Sequence, residues 1–169
     1  MSHTKIVHIY SSWTAGGAEK VMLDIAEGLE KKGFPSVLAC PRDSYLFRSA
    51  GERGLTSYDF STRGSFDPFG LWKLWRILDR EKPDILHAHQ GKVFWPCVFM
   101  KWLGKVPRII FHRHAQLPHK FYSRSHYGWA DAVMAISGAV ASSLTAREKV
   151  SSSKVRVVYN GTDFARFHQ

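Results

Sequence analysis

The sequence predicts an α/β domain, a parallel sheet with helices on both faces, and three observations carry that expectation. Short apolar runs alternate with helical stretches through most of the chain. The runs are continuous rather than alternating, as parallel strands buried on both faces should be. Polar and imidazole-bearing residues gather just after the strands, at the edge where open parallel sheets bind ligands.

The first unit runs from Ile6 to Lys32. Ile6 to Tyr10 is an apolar strand, Ser11 to Ala15 a mostly polar loop, and Gly16-Gly17 opens a helix. Ala18, Val21, Met22, Ile25, Ala26 and Leu29 paint one apolar stripe at helical spacing. Lys31-Lys32 suit the negative helix end, and Gly33 suits a left-handed cap. Pro35 to Cys40 is the second strand and Leu55 to Phe60 a weaker third. Phe69 to Lys82 reads as a helix with Leu71, Leu74, Trp75 and Leu78 on one stripe, ended by Pro83. Asp84 to His89 is a strand. Gly91 to Gly104 is a helix expected to break or kink near Pro96. Arg108 to His112, Ala132 to Ser137 and Val155 to Tyr159 are the remaining strands, with helices over Pro118 to Ala130 and Gly138 to Val150.

The strand ends collect Ser11, Ser12 and the glycine pair, then Arg42, His87 and His89, then His112, Arg113 and His114, then Ser137 and Asn160 to Asp163. A helix N-terminus offers free backbone N–H groups and partial positive charge, so the glycine pair can hold a phosphate; it can equally be a tight turn. His87/His89 and His112/His114 each place two imidazoles on one strand face, a spacing that could ligate zinc. No Cys, Asp or Glu of fitting spacing accompanies them, so no metal is expected. His87 is expected to be structural, bonded to backbone. His114, past a strand end beside Arg113, is expected to contact substrate.

At 169 residues with 44% apolar and 22% charged residues, the chain is one globular domain. Cys40 and Cys97 give neither a metal spacing nor a disulfide framework, which fits a reducing, cytoplasmic setting. No signal peptide is evident, and the apolar run from Val93 to Met100 is too short to span a bilayer. The net charge of +10 favours anionic partners. No Gly-x-Gly-x-x-Gly follows the first strand and no Walker lysine follows the glycines, which argues against dinucleotide binding and NTP hydrolysis. Trp72, Trp75, Trp95, Phe99 and Trp102 interleave with Lys73, Arg76, Lys92, Lys101, Lys105 and Arg108. The cluster is either a surface for an anionic bilayer or, the reading that burial statistics favour, core tryptophans between solvated cations. Nucleic acid is not expected, since no recognition motif accompanies the charge.

Five segments, in order, resemble glycosyltransferase family 4. They are Gly16-Gly17-Ala18-Glu19, Lys82 to His89 (Lys-Pro-Asp-Ile-Leu-His-Ala-His), Val106 to His114, Ala130-Asp131-Ala132-Val133 to Ser137, and Val157 to Asp163 with Phe167. The resemblance implies a Rossmann-like sheet, the N-terminal, acceptor-side half of a retaining GT-B transferase. The nucleotide-sugar domain would lie beyond residue 169, and the chain alone would be nearly inactive. Glu19 and Glu27 match that second domain's Glu-x7-Glu spacing by coincidence, being on the first helix.

Carried over position by position, Gly16 and Gly17 would place N–H groups near the donor pyrophosphate, and His114 would contact the donor sugar at the reacting carbon. His112 stands where the family often has Thr, which leaves open which imidazole acts. Ser12, Glu19, His89, Arg113 and Ser137 are the acceptor-side candidates, and Asn160 and Asp163 belong to the interdomain connection. The nucleotide-sugar is a co-substrate, no cofactor is expected, and a glycan or lipid-linked, lipopolysaccharide-type acceptor suits a basic protein peripheral on the inner membrane face. A non-catalytic subunit of a split transferase, or a basic membrane- or nucleic-acid-binding module, are the alternatives.

Overall fold

The computed structural model describes residues 4–115 and 127–161. Its strands are β1 (Ile6–Ile9), β2 (Ser36–Cys40), β3 (Thr56–Asp59), β4 (Ile85–Ala88), β5 (Arg108–Arg113), β6 (Ala132–Ala135) and β7 (Val155–Val157). The helices among the described residues are α1 (Gly17–Lys31), α2 (Tyr45–Glu52), α3 (Pro68–Glu81), α4 (Phe94–Trp102) and α5 (Gly138–Ala146). The strands form one sheet in the order β3-β2-β1-β4-β5-β6-β7, and every ladder is parallel. The order reverses direction between β1 and β4, the place where a doubly wound sheet opens a crevice at its C-terminal edge.

Helices cover both faces. On one, Val7, Ile9, Leu86, Ala88, Ile109, Phe111, Val133 and Ala135 pack with Leu74, Leu78, Phe94, Val98, Val140 and Leu144 from α3, α4 and α5. On the other, Tyr10, Leu38 and Cys40 pack with Met22, Leu23 and Ala26 of α1 and Leu46 and Ala50 of α2. That second apolar cluster ends at β1. Further across, the same face carries imidazoles: His8 sits directly opposite His87 in the ladder. The centre of the sheet is therefore apolar on one side only.

Helix ends follow from local chemistry. α1 closes in a Schellman motif, with Phe34 N–H donating to Leu29 C=O at 3.0 Å and Gly33 N–H to Glu30 C=O at 2.9 Å. Gly33 supplies the required left-handed φ of 82°. α3 starts on Asp67, whose carboxylate accepts from Phe69 N–H, with Pro68 at the first helical position. It ends at Lys82, held at φ 46° ahead of Pro83. Gly70 lies against Thr62 so closely that a Cβ would sit 2.8 Å from the threonine Cβ and Oγ1.

Two motif aspartates prove to be strand starters at the opposite edge from the site. Asp84 accepts from Lys5 N–H at 2.8 Å and donates its own N–H to Lys5 C=O at 2.9 Å, which docks β4 beside β1. Asp131 accepts from Ile109 N–H at 2.7 Å and donates N–H to Ile109 C=O at 3.0 Å, docking β6 beside β5.

Three expectations need correction. The helix expected over Gly91 to Gly104 is not one helix kinked at Pro96: Gly91–Val93 is a 3-10 turn and α4 begins at Phe94, so the proline falls in its first turn, where its missing N–H has no intrahelical partner to lose. α2 was not expected; Ser44 caps it by accepting from Phe47 N–H at 3.1 Å. The tryptophans are not core residues. Trp72, Trp75 and Trp102 are 48%, 44% and 54% exposed, and only Trp95 packs against the core. The expected helix over Pro118 to Ala130 falls largely outside the described residues.

Candidate functional site

The site is the C-terminal edge of β1, β4 and β5 with the N-terminus of α1. β1 delivers His8, β4 delivers His87 and leads into His89, and β5 delivers His112 and leads into His114. Alternation along each strand puts all five imidazoles on one face. His8 Nδ1 lies 3.2 Å from His89 Nε2, and His89 Nδ1 lies 3.2 Å from His114 Nε2. His87 stacks on His112 with ring centroids 5.4 Å apart and planes 4° apart. His112 stacks on His114 at 4.2 Å. The expected backbone bond of His87 is absent from its buried Nε2, which has no partner among the described residues. The register of β1 against β4 fills its surroundings with rings instead.

Burial lowers every one of these pKa values. His8 and His112 are held at about 3 and His114 at about 4. The Glu19 carboxylate partly opposes the shift at His114. His87 and His89 are lowered well below the usual range, first by burial and then by the neighbouring imidazoles. At neutral pH the cluster is uncharged, so each ring offers one N–H donor and one acceptor nitrogen. His114 is only partly buried, but its Nδ1 is buried without a partner among the described residues and its Nε2 faces His89.

Gly16 is the N-cap of α1 and makes no side-chain cap bond. Its backbone is extended, φ −165°, so its conformation does not require glycine. Above Gly17, a Cβ would meet nothing within 4 Å. The helix start is exposed, and the open space lies above Gly17, since a Cβ at Gly16 would sit 3.2 Å from Glu19 Oε2.

The other candidates divide. Glu19 is 2% exposed and turned to the protein: its carboxylate accepts from Thr14 Oγ1 at 3.3 Å, and it adds to the rise in the Tyr10 pKa that burial causes first. Ser12 Oγ pairs with Thr14 Oγ1 at 2.8 Å and shapes the same loop. Ser137 caps α5, accepting from Val140 N–H at 3.3 Å. Arg113 points to the opposite sheet face from His112 and His114; its Nε donates to Ala115 C=O, and its guanidinium is 4.0 Å from Glu148. His89 is at the centre of the cluster. Asn160 is exposed beyond β7, and Asp163 lies outside the described residues.

Sequence reasoning missed three residues. His8 was hidden inside an apolar run, and only the register with His87 reveals it. Gln90 Oε1 accepts from Ser11 N–H at 3.2 Å. Thr62 donates its N–H to Ser11 Oγ at 2.9 Å while the Ser11 hydroxyl donates to Thr62 C=O at 3.3 Å, which pins a loop beside the site.

Comparison with known proteins decides the family: the description of Glycosyltransferase Family 4 matches residues 15–166. The chain belongs to glycosyltransferase family 4. Its fold is the Rossmann-like α/β fold of GT-B transferases. This family-4 chain is 32% identical over 98 residues to the UDP-N-acetylglucosamine–N-acetylmuramyl-(pentapeptide) pyrophosphoryl-undecaprenol N-acetylglucosamine transferase of Geobacillus thermodenitrificans, covering 56% of this chain and 26% of that one. A glycosyltransferase from Rickettsia africae superposes with a TM-score of 0.83 at 17% identity, over 99% of this chain and 46% of that one. Anabaena HepE in complex with UDP and glucose gives 0.78 at 18% identity, over 96% and 46%. MurG of Acinetobacter baumannii gives 0.68 at 15%, over 98% and 49%. The family-4 chain thus spans about a quarter of its curated relative and just under half of each solved chain.

Proposed function

We propose that this chain is the N-terminal, acceptor-side domain of a retaining glycosyltransferase that moves a sugar from a nucleotide-sugar to an acceptor hydroxyl. The observation that carries the reading is the family match over residues 15–166, falling on an open helix N-terminus and a neutral histidine at one sheet edge. The Gly16-Gly17 end of α1 holds donor phosphate through backbone N–H groups. His114 hydrogen-bonds the sugar near the anomeric carbon; as an uncharged ring it orients rather than protonates. The acceptor oxygen bonds to the anomeric carbon as the bond to the leaving phosphate breaks on the same face, and the acceptor proton passes to that phosphate. No protein carboxylate base and no metal is needed for this step, and Glu19, buried and bonded to Thr14, is not available as one. The donor class is a UDP-sugar, by analogy with the names and ligands of the relatives.

The acceptor is a glycan or lipid-linked, lipopolysaccharide-type molecule met at an anionic membrane, with the protein peripheral on its cytoplasmic face. This part of the reading rests on the exposed aromatic surface of α3 and α4. Arg76 lies over Trp72 at 5.6 Å, Lys105 over Trp75 at 5.0 Å, and Trp102 meets Trp129 edge-on at 5.0 Å. No helix among the described residues is long and apolar enough to cross a membrane.

The test uses the protein as the cell makes it. Its intact mass is measured, and it is supplied with a panel of UDP-sugars and a lipid-linked acceptor, with the product anomer read by NMR. Transfer with retention is expected. An inverted product overturns the retaining mechanism. Robust turnover by these 169 residues alone overturns the half-site reading.

A further inference from the structure

The transferase reading uses one imidazole at the mouth and leaves four more behind it. Several of their nitrogens are buried without a partner among the described residues: Nε2 of His8, Nε2 of His87 and both nitrogens of His112, as well as Nδ1 of His114. A buried polar nitrogen that finds no hydrogen bond costs about 1–3 kcal/mol. A cluster of them is therefore expensive unless something fills it.

The nitrogens converge. One ring nitrogen from each of His89, His112 and His114 lies within 4.8 Å of the others. The His89 Nδ1 to His114 Nε2 separation is 3.2 Å. Two nitrogens on a tetrahedral ion at 2.0–2.1 Å stand about 3.3 Å apart, so this pair already has the spacing of two ligands on one ion. His89 is also set up from behind. With Nδ1 facing the ion, its Nε2 carries the hydrogen and donates to His8 Nδ1, 3.2 Å away. An outer acceptor that fixes the tautomer of a ligating histidine is a regular part of metal sites. An all-imidazole donor set suits zinc, copper or nickel rather than magnesium or calcium.

We propose that His89, His112 and His114 bind a divalent transition ion of the zinc class, with His8 as the outer partner that orients His89. The ion is not a cofactor of sugar transfer. It engages the imidazole that the transferase reading gives to the donor sugar, so the two compete for His114. The proposal does not depend on the transferase reading, because it concerns metal binding by the chain itself.

The experiment titrates the full chain with Zn2+ in competition with a chromophoric chelator. Circular dichroism checks the fold of each variant. One equivalent is expected to bind. His112→Ala and His114→Ala each weaken binding by more than about tenfold, and His8→Leu weakens it by about 10–100-fold, the cost typical of an outer partner. A variant with His3, His119, His126 and His168 all changed to Asn keeps the site. Co2+ in place of Zn2+ gives the intense visible absorption of a four-coordinate centre. His114→Gln, at the partly exposed position, decides the matter if His112→Ala does not fold. Absence of a saturable equivalent overturns the proposal. So does binding that survives His114→Gln but is lost with the four-histidine variant, or that survives it but is lost in His87→Ala, which would place the ion among His8, His87 and His89.

Discussion

The Nδ1 of His8 stands 3.2 Å from the Nε2 of His89, although 81 positions separate the two residues. The contact exists because β1 and β4 are neighbours in register, Ile9 beside Ala88. It joins the first strand to the centre of the candidate site through two rings that share one hydrogen.

Acid should break this arrangement first. His8 and His112 sit at about 3 and His114 at about 4, against about 6.5 in an unfolded chain. A depressed histidine pKa gives stability that is complete above the unfolded value. Below pH 6.5 the unfolded state takes up protons that the folded state refuses, and stability falls until the folded pKa is reached. The slope is about 1.4 kcal/mol per pH unit for each ring. Thermal melts in chelator from pH 7.5 to 5 should show Tm dropping steeply below 6.5. A flat Tm across that window would mean that the rings are solvated.

His114→Ala in the transferase as the cell makes it should retain the fold and lower kcat by at least about a hundredfold, the lower end for a lost transition-state contact. His112→Thr should be much milder. Equal turnover for wild type and His114→Ala, with loss in His112→Thr, would move the role one step inward.

Gly17→Val should leave stability within about 0.5 kcal/mol, as at exposed sites generally, because the added atoms enter open space. Turnover should nevertheless fall, since that space is where the phosphate would approach. Urea melts measure the first and steady-state KM for the nucleotide-sugar the second. Full activity would place the phosphate elsewhere.

Ser11→Ala removes both hydrogen bonds that hold Thr62 and should cost about 1–3 kcal/mol, because a buried N–H and C=O are left together without their partner. Chemical denaturation gives the number.

Sedimentation with vesicles tests the aromatic surface. Binding to anionic vesicles should be strong at low salt and weaken as salt rises. Trp75→Ala with Trp102→Ala should reduce it at every salt concentration, and neutral vesicles should bind poorly. Equal binding by the double variant would detach the membrane reading from these residues.

Most of the architecture was legible because parallel strands and amphipathic helices write different periods into the chain. Ala18 to Leu29 and the stripe over Phe69 to Lys82, ended by Pro83, are plain at that level. α2 was not, since eight residues make only about two turns, too few to stand out from the loops around them, and one of them is a glycine. Pro96 misled because its effect depends on its distance from the helix start, which composition does not give. Trp72 and Trp75 misled in the opposite sense, their size suggesting burial. The two His-x-His pairs were visible as pairs, but the five-ring cluster was not. Its existence depends on which strands are neighbours, and His8 lies far from the pairs in the chain.

The position of β1 carries a consequence for synthesis. β1 takes a central place in the sheet, between β2 and β4. Its second neighbour is not made until about eighty residues later. At about 5–20 residues per second, that is a wait of roughly 4–16 s. During it, Ile6, Val7 and Ile9 have one open edge and no covering from α4, which follows β4. The nascent chain is therefore most exposed to aggregation and to chaperones before Ala88 emerges, and slowing translation ahead of β4 would lengthen that window.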